Sequence, residues 1–98
     1  MLIKVHESYR TVVAICDSNL IGKKFEDERR QLEIKDRFFR GEEKNQEEAI
    51  RIIKNQILED ATFNIVGKES IDAAIKAGLI SEESVGEVQG IPFALVLL

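Results

Sequence analysis

The sequence predicts an α/β fold of the α+β kind: a single compact domain, with a mixed sheet of about five or six short strands and two main helices. Three observations lead there. Apolar, strand-like runs stand near both ends of the chain, at Thr11–Cys16 and Phe93–Leu98. A capped amphipathic stripe begins at Asn45 and has the helical period. The chain has only 98 residues, 44% of them apolar, enough for one core and too few for two, so residues 1–98 are read as one domain.

Met1–Val5 reads as a short first strand, and polar His6–Arg10 as a turn. Thr11–Cys16 is β-branched and almost continuously apolar, the pattern of a strand covered on both faces, so the two strands form a hairpin. Asp17 and Ser18 start the next turn, which Asn19 and Gly22 support. Lys23–Phe25 and Gln31–Lys35 are short extended candidates joined by a charged loop. In the second, Leu32 and Ile34 alternate with Glu33 and Lys35.

Asn45 is a good N-cap, and Glu48 three residues later completes a capping-box pattern. Ala49, Ile50, Ile53, Ile57 and Ala61 then recur at helical steps, which predicts a helix over about residues 46–60. Ala61–Val66 suits a short strand ended by Gly67. A second helix runs from Lys68 or Glu69 to Ala77, with Gly78 as its C-terminal cap. Ser81–Glu83 suggests one helical turn, and Val85–Val88 is extended. Gly90–Pro92 turns the chain into Phe93–Leu98, which reads as a buried interior strand beside Val12–Cys16 at the sheet centre. The second helix, or a second copy of the chain, is expected to cover the sheet face opposite the first helix. A homodimer is therefore among the expected states.

Several chemistries are excluded by composition. One Cys cannot make a disulfide framework, and one Cys with one His cannot make a zinc finger. No apolar run is long enough to span a bilayer, and no signal peptide opens the sequence. A soluble protein of a reducing cytoplasm is the expectation. No cofactor or metal is implied, and no catalytic constellation is complete.

The charge is acidic overall, with 14 basic and 18 acidic residues. It is uneven: residues 22–44 hold eight bases and seven acids, whereas residues 45–98 hold four and nine. That balance disfavours nucleic-acid binding by bulk electrostatics alone, yet leaves room for a local basic patch. Lys23, Lys24, Arg29, Arg30, Arg37 and Arg40 are its candidates, joined by Lys35. Phe38 and Phe39, flanked by Arg37 and Arg40, could stack single-stranded bases. Equally, such a segment can be a solvated mixed-charge face with one Phe in the core. No run of like charge exceeds three residues.

Other constellations are weaker. Gly22-Lys23-Lys24 lacks the upstream Gly and the Ser or Thr of a phosphate loop, since Asp17 and Lys24 stand there. His6 sits beside the hairpin turn and Cys16 near its open end, roughly 15 Å apart at about 3.3 Å per residue, too far for a nucleophile and its base. Asp17 with Glu33-x-Lys35 matches the pattern of a metal-dependent nuclease, in which carboxylates hold a divalent ion and a Lys polarises water. Glu-x-Lys also arises by chance in a sequence of which 33% is charged.

A set of short runs resembles a known family. They are Lys4-Val5-His6-Glu7, Ala14-x-Cys16-Asp17, Leu20-Ile21-Gly22-Lys23-x-Phe25, Phe38-Phe39-x-Gly41-Glu42, Ala61–Gly67, Ala73-Ala74-Ile75-x-Ala77-Gly78-Leu79-Ile80 and Gly90-Ile91-Pro92-x-Ala94. Their order over nearly the whole chain resembles domain of unknown function 424, a small archaeal family. The resemblance implies a compact α/β protein of an archaeal cytoplasm. It implies no established activity, so it carries over no catalytic residues. The family pattern favours a His where Phe93 stands here, and that departure weakens any His-based site near the Pro92 turn.

Three functional readings follow. The first is a non-enzymatic binding or adaptor module for RNA or a translation component, using Lys23, Lys24, Arg29, Arg30, Arg37, Phe38, Phe39 and Arg40. The second is a metal-dependent nuclease or hydrolase using Asp17, Glu33 and Lys35. The third is a purely protein-binding subunit.

Overall fold

A computed structural model describes all 98 residues. Strand β1 (Leu2–His6) and β2 (Val12–Cys16) form the expected antiparallel hairpin, with Leu2 opposite Cys16 and His6 opposite Val12. A 3-10 turn at Ser18–Leu20 leads to a separate small hairpin of β3 (Lys24–Glu26) and β4 (Gln31–Glu33). A one-turn helix α1 (Asp36–Phe39) and a two-residue strand β5 (Glu42–Glu43) follow; neither stands out in the sequence. Next come α2 (Gln46–Leu58), β6 (Thr62–Val66) and α3 (Lys68–Lys76). After a 3-10 turn at Glu82–Ser84, β7 (Gly86–Val88) and β8 (Ile91–Val96) complete the chain. The result is one α+β domain around a mixed, six-stranded sheet of order β5-β1-β2-β6-β8-β7, in which only β2 and β6 are parallel.

Local chemistry explains the helix ends. At the start of α2 the Asn45 side chain accepts from the Glu48 N–H at 2.9 Å, and the Glu48 carboxylate accepts from the Asn45 N–H at 3.0 Å, a complete capping box. At the end of α3, Gly78 takes a left-handed φ of 81°, the conformation that closes a helix and that a side chain resists.

Both main helices pack on the same sheet face, which corrects the expectation that they cover opposite faces. Ala49 and Ile53 of α2 and Ile71, Ala73 and Ala74 of α3 meet Ile3, Val13, Ile15, Phe63 and Ile65 in one core. The helices also hold each other at their rims, where Gln46 donates to Asp72 and Lys76 donates to Gln46. The other face is partly covered by the β3–β4 hairpin and α1. Leu20, Ile34 and Phe39 are buried there against Leu2, Ala14, Cys16 and Val66. These apolar residues are scattered singly among charges, so their segment reads as a surface loop although it is a lid on the second core.

The terminal strand also departs from expectation. Phe93–Leu98 does not lie beside Val12–Cys16; β6 separates them, parallel to one and antiparallel to the other. Nor is the run buried. Leu95 is 60% exposed and Leu97 72% exposed, and Leu98 is exposed too. The lid covers the end of the sheet where Cys16, Val66 and Phe93 lie and reaches along β1 to His6, which packs on Phe38, whereas the part of that face at Asn64 and Leu95 is open. No helix is long and apolar enough to cross a membrane.

Candidate functional site

The carboxyl ends of the parallel strands β2 and β6 point the same way, the place where open α/β sheets usually hold ligands. Here that place is structurally occupied. Gly67, the N-cap of α3, has no side chain to satisfy the helix, and Asp17 does so from the end of β2. Its Oδ1 accepts from the Ser70 N–H and hydroxyl, both at 2.8 Å, and its Oδ2 accepts from the Glu69 N–H at 3.1 Å. A carboxylate therefore sits where a helix N-terminus would hold a phosphate. The fit is tight: Gly67 has φ 107°, and a Cβ there would collide with the Asp17 carboxylate.

That geometry removes the central piece of the nuclease constellation. Asp17 is buried, with both oxygens engaged by α3. Glu33 is exposed on β4, directly opposite Lys24, and Lys35 is exposed at the start of α1. No three His, Cys, Asp or Glu side chains converge as a metal site would require.

His6 and Cys16 stand at opposite ends of the hairpin, as the sequence predicts. His6 stacks on Phe38 with ring centroids 4.7 Å apart, and its Nε2 donates to the Phe38 carbonyl at 2.9 Å. Cys16 is buried in the second core. Burial, and then the adjacent Asp17 carboxylate, push its thiol up to about 11.

The basic candidates are all exposed, but they divide. Arg30 crosses to the far edge, where its guanidinium donates to the Glu87 carbonyl at 2.8 Å and lies 5.3 Å from the Phe93 ring centre. Arg29 is beside it in the β3–β4 turn. Arg37 and Arg40 lie on or just after α1 at the other side. The Arg37 carbonyl accepts from Lys4 of β1, and Arg40 is ion-paired to Asp36 at 2.7 Å. Lys23 and Lys24 lead into the hairpin, Lys24 facing Glu33 across the ladder. From β1 to β7 is four strand steps, so the Lys4–Arg37 and Arg30–Glu87 contacts lie about 19 Å apart. The aromatic pair divides as well. Phe39 is 5% exposed and belongs to the core, so it leaves the proposed base-stacking set; Phe38, edge-on to it, is half-buried.

Between these anchors runs a groove of about 310 Å³ over the sheet, with Phe38, Asn64, Phe93 and Leu95 among its lining residues. Asn64 is half-buried on the central strand, and its amide makes no hydrogen bond within the chain. The groove is mostly apolar, with Phe38 among its lining residues and Phe93, under Arg30, at one end. Asn64 and Leu95 could not be recognised as site residues from the sequence, because only the register between β6 and β8 brings them opposite each other.

Comparison with known proteins places the chain. The profile described as Protein of unknown function (DUF424) matches residues 6–98. The chain belongs to the DUF424 family. A crystal structure of an uncharacterized conserved protein from Methanopyrus kandleri is similar to it at a TM-score of 0.86 and 26% identity, covering 98% of this chain and 90% of that chain. No curated protein matches. The resemblance read from the ordered short motifs thus agrees with the DUF424 match, and the archaeal source of the similar structure accords with it.

Proposed function

We propose that this DUF424 protein is a non-enzymatic binding module of the cytoplasm whose ligand is single-stranded RNA laid across the open part of the sheet. The observation that carries the reading is the groove itself. It offers a half-exposed ring at Phe38, an uncommitted amide at Asn64 and, over the Phe93 ring at one end, the Arg30 guanidinium. Flat aromatic surface stacks bases, an amide reads base edges, and guanidinium groups hold phosphates. Of the eight residues in the original set, Phe39 is replaced by Asn64, and Arg40 serves its own ion pair with Asp36.

Titration of the protein with single-stranded RNA at low and at high salt tests this. Binding is expected at micromolar protein, weakening with salt as a few phosphate contacts are released. Phe38→Ala, with its fold checked by circular dichroism, is expected to weaken it about tenfold, in line with one lost stacking contact. Absence of salt-sensitive binding at micromolar protein removes the RNA reading. The mostly apolar lining then favours the purely protein-binding subunit, which isolation from native cytosol with a stoichiometric protein partner identifies.

A further inference from the structure

The backbone of β8 is only half paired on its outer side. Its inner side runs along β6 from Phe93 to Val96. The Pro92 carbonyl accepts from the Gly67 N–H, so the even-numbered residues of β8 aim their backbone groups at β6 and the odd-numbered residues aim theirs outward. Outward, β7 meets Ile91 and Phe93 through Val88 and Gly86, and there it ends. The chain before Gly86 leaves the ladder as a 3-10 turn, in which the Ser84 N–H turns back to Ser81. The outward N–H and C=O of Leu95 therefore have no partner in the chain.

Open edges of this kind are normally blunted by charge, proline or shortness. The opposite edge of this sheet follows the rule, since β5 is two residues long and both are glutamates. The free half of β8 does not. From Ala94 to Leu98 the sequence is Ala-Leu-Val-Leu-Leu, without a charge, a proline or a glycine. Leu95 and Leu97 are 60% and 72% exposed. Tyr9, Leu58 and Leu98, also exposed, lie towards the same end of the molecule, where Tyr9 and Leu98 share a hollow with Arg10, Glu59 and Asp60.

We infer that this edge pairs with the same edge of a second copy. The two β8 strands run antiparallel across a two-fold axis, with Leu95 of each opposite Leu97 of the other. A two-fold contact must be self-complementary, and this segment is: it places no like charges opposite one another. That pairing gives the Leu95 backbone groups their partners and withdraws both leucines from water. It also joins two open sheet faces into one. The inference stands whether or not the groove binds RNA, because its test contains none.

The experiment is sedimentation equilibrium of the full chain over a wide concentration range, with amide hydrogen exchange read at Leu95. A dimer is expected for the wild type, with the Leu95 amide protected when concentrated and unprotected on dilution. L95K/L97K places gatekeeper charges on side chains that are already exposed in the monomer. It is expected to raise the dissociation constant at least about 30-fold while circular dichroism is unchanged. If that variant misfolds, L97K alone, beyond the end of β8, is read in its place. A monomeric wild type at high concentration overturns the inference, as does a dimer that survives the lysines or leaves the Leu95 amide unprotected.

Discussion

Replacing Asp17 with alanine isolates the interaction that sets the end of the parallel strand pair. The carboxylate supplies acceptors to three donors of α3 and is buried, and Ser70 is fully buried. The Glu69 N–H is only partly buried, so water can replace its acceptor at little cost. The Ser70 hydroxyl can turn to another acceptor. The Ser70 N–H cannot turn, and a buried donor left unpaired costs about 1–3 kcal/mol. Losing the negative charge from the helix N-terminus adds about 1 kcal/mol. Asp17→Ala is therefore expected to cost about 2–4 kcal/mol, a large share of the roughly 5–15 kcal/mol that holds a domain of this size. Urea unfolding followed by circular dichroism measures it, with an unchanged slope showing that the unfolded state is not altered. Asp17→Asn keeps an acceptor for Ser70 and should lose about half as much. A double-mutant cycle with Ser70→Ala removes only the hydroxyl contact, so the pair should couple by less than about 1 kcal/mol. A loss below about 0.5 kcal/mol for Asp17→Ala would refute the capping role.

Three further outcomes follow from the same structure. Ile53→Ala, at a fully buried site in α2, should cost about 2–5 kcal/mol in urea unfolding, while Leu58→Ala, 82% exposed on the same helix, should stay within about 0.5 kcal/mol. The Cys16 thiol is held up at about 11 by burial, so folding favours its protonated form and stability should decline as pH rises from about 9 towards 11. Cys16→Ala should flatten that decline, and alkylation of Cys16 at pH 8 should proceed only as the protein unfolds. The Glu43 carboxyl is held below its usual range by the Met1 ammonium and then by Ser18, so its contribution is present above its unfolded value and is lost as pH falls. Glu43→Gln should therefore reduce the acid sensitivity of the melting temperature.

Much of the architecture was legible because it is encoded locally. The β1–β2 hairpin, the Asn45 capping box and the Gly78 cap each depend on residues near one another in sequence. The candidate groove was legible only in part. Phe38, Arg30 and Arg37 drew notice as an aromatic and cations in one charged segment, but Asn64 and Leu95 joined them through strand register alone. In the sequence Asp17 fits a turn former and matches a metal-ligand pattern. Its actual partners, Glu69 and Ser70, are more than fifty residues away, and no local pattern announces a cap supplied by another strand.

By itself the sequence determined both main helices and most strands, because hydrophobic period, caps and turn residues act over a few positions; the one-turn α1 and two-residue β5 are too short to show a period. The tertiary structure alone decided which face each element covers. An apolar run such as Phe93–Leu98 carries no record of how far its cover extends. The lid formed by Leu20, Ile34 and Phe39 stops short of it, so a stretch as apolar as the core ends with Leu95 and Leu97 in water. Burial belongs to the pair of surfaces that meet, and one of the two is always distant in the chain.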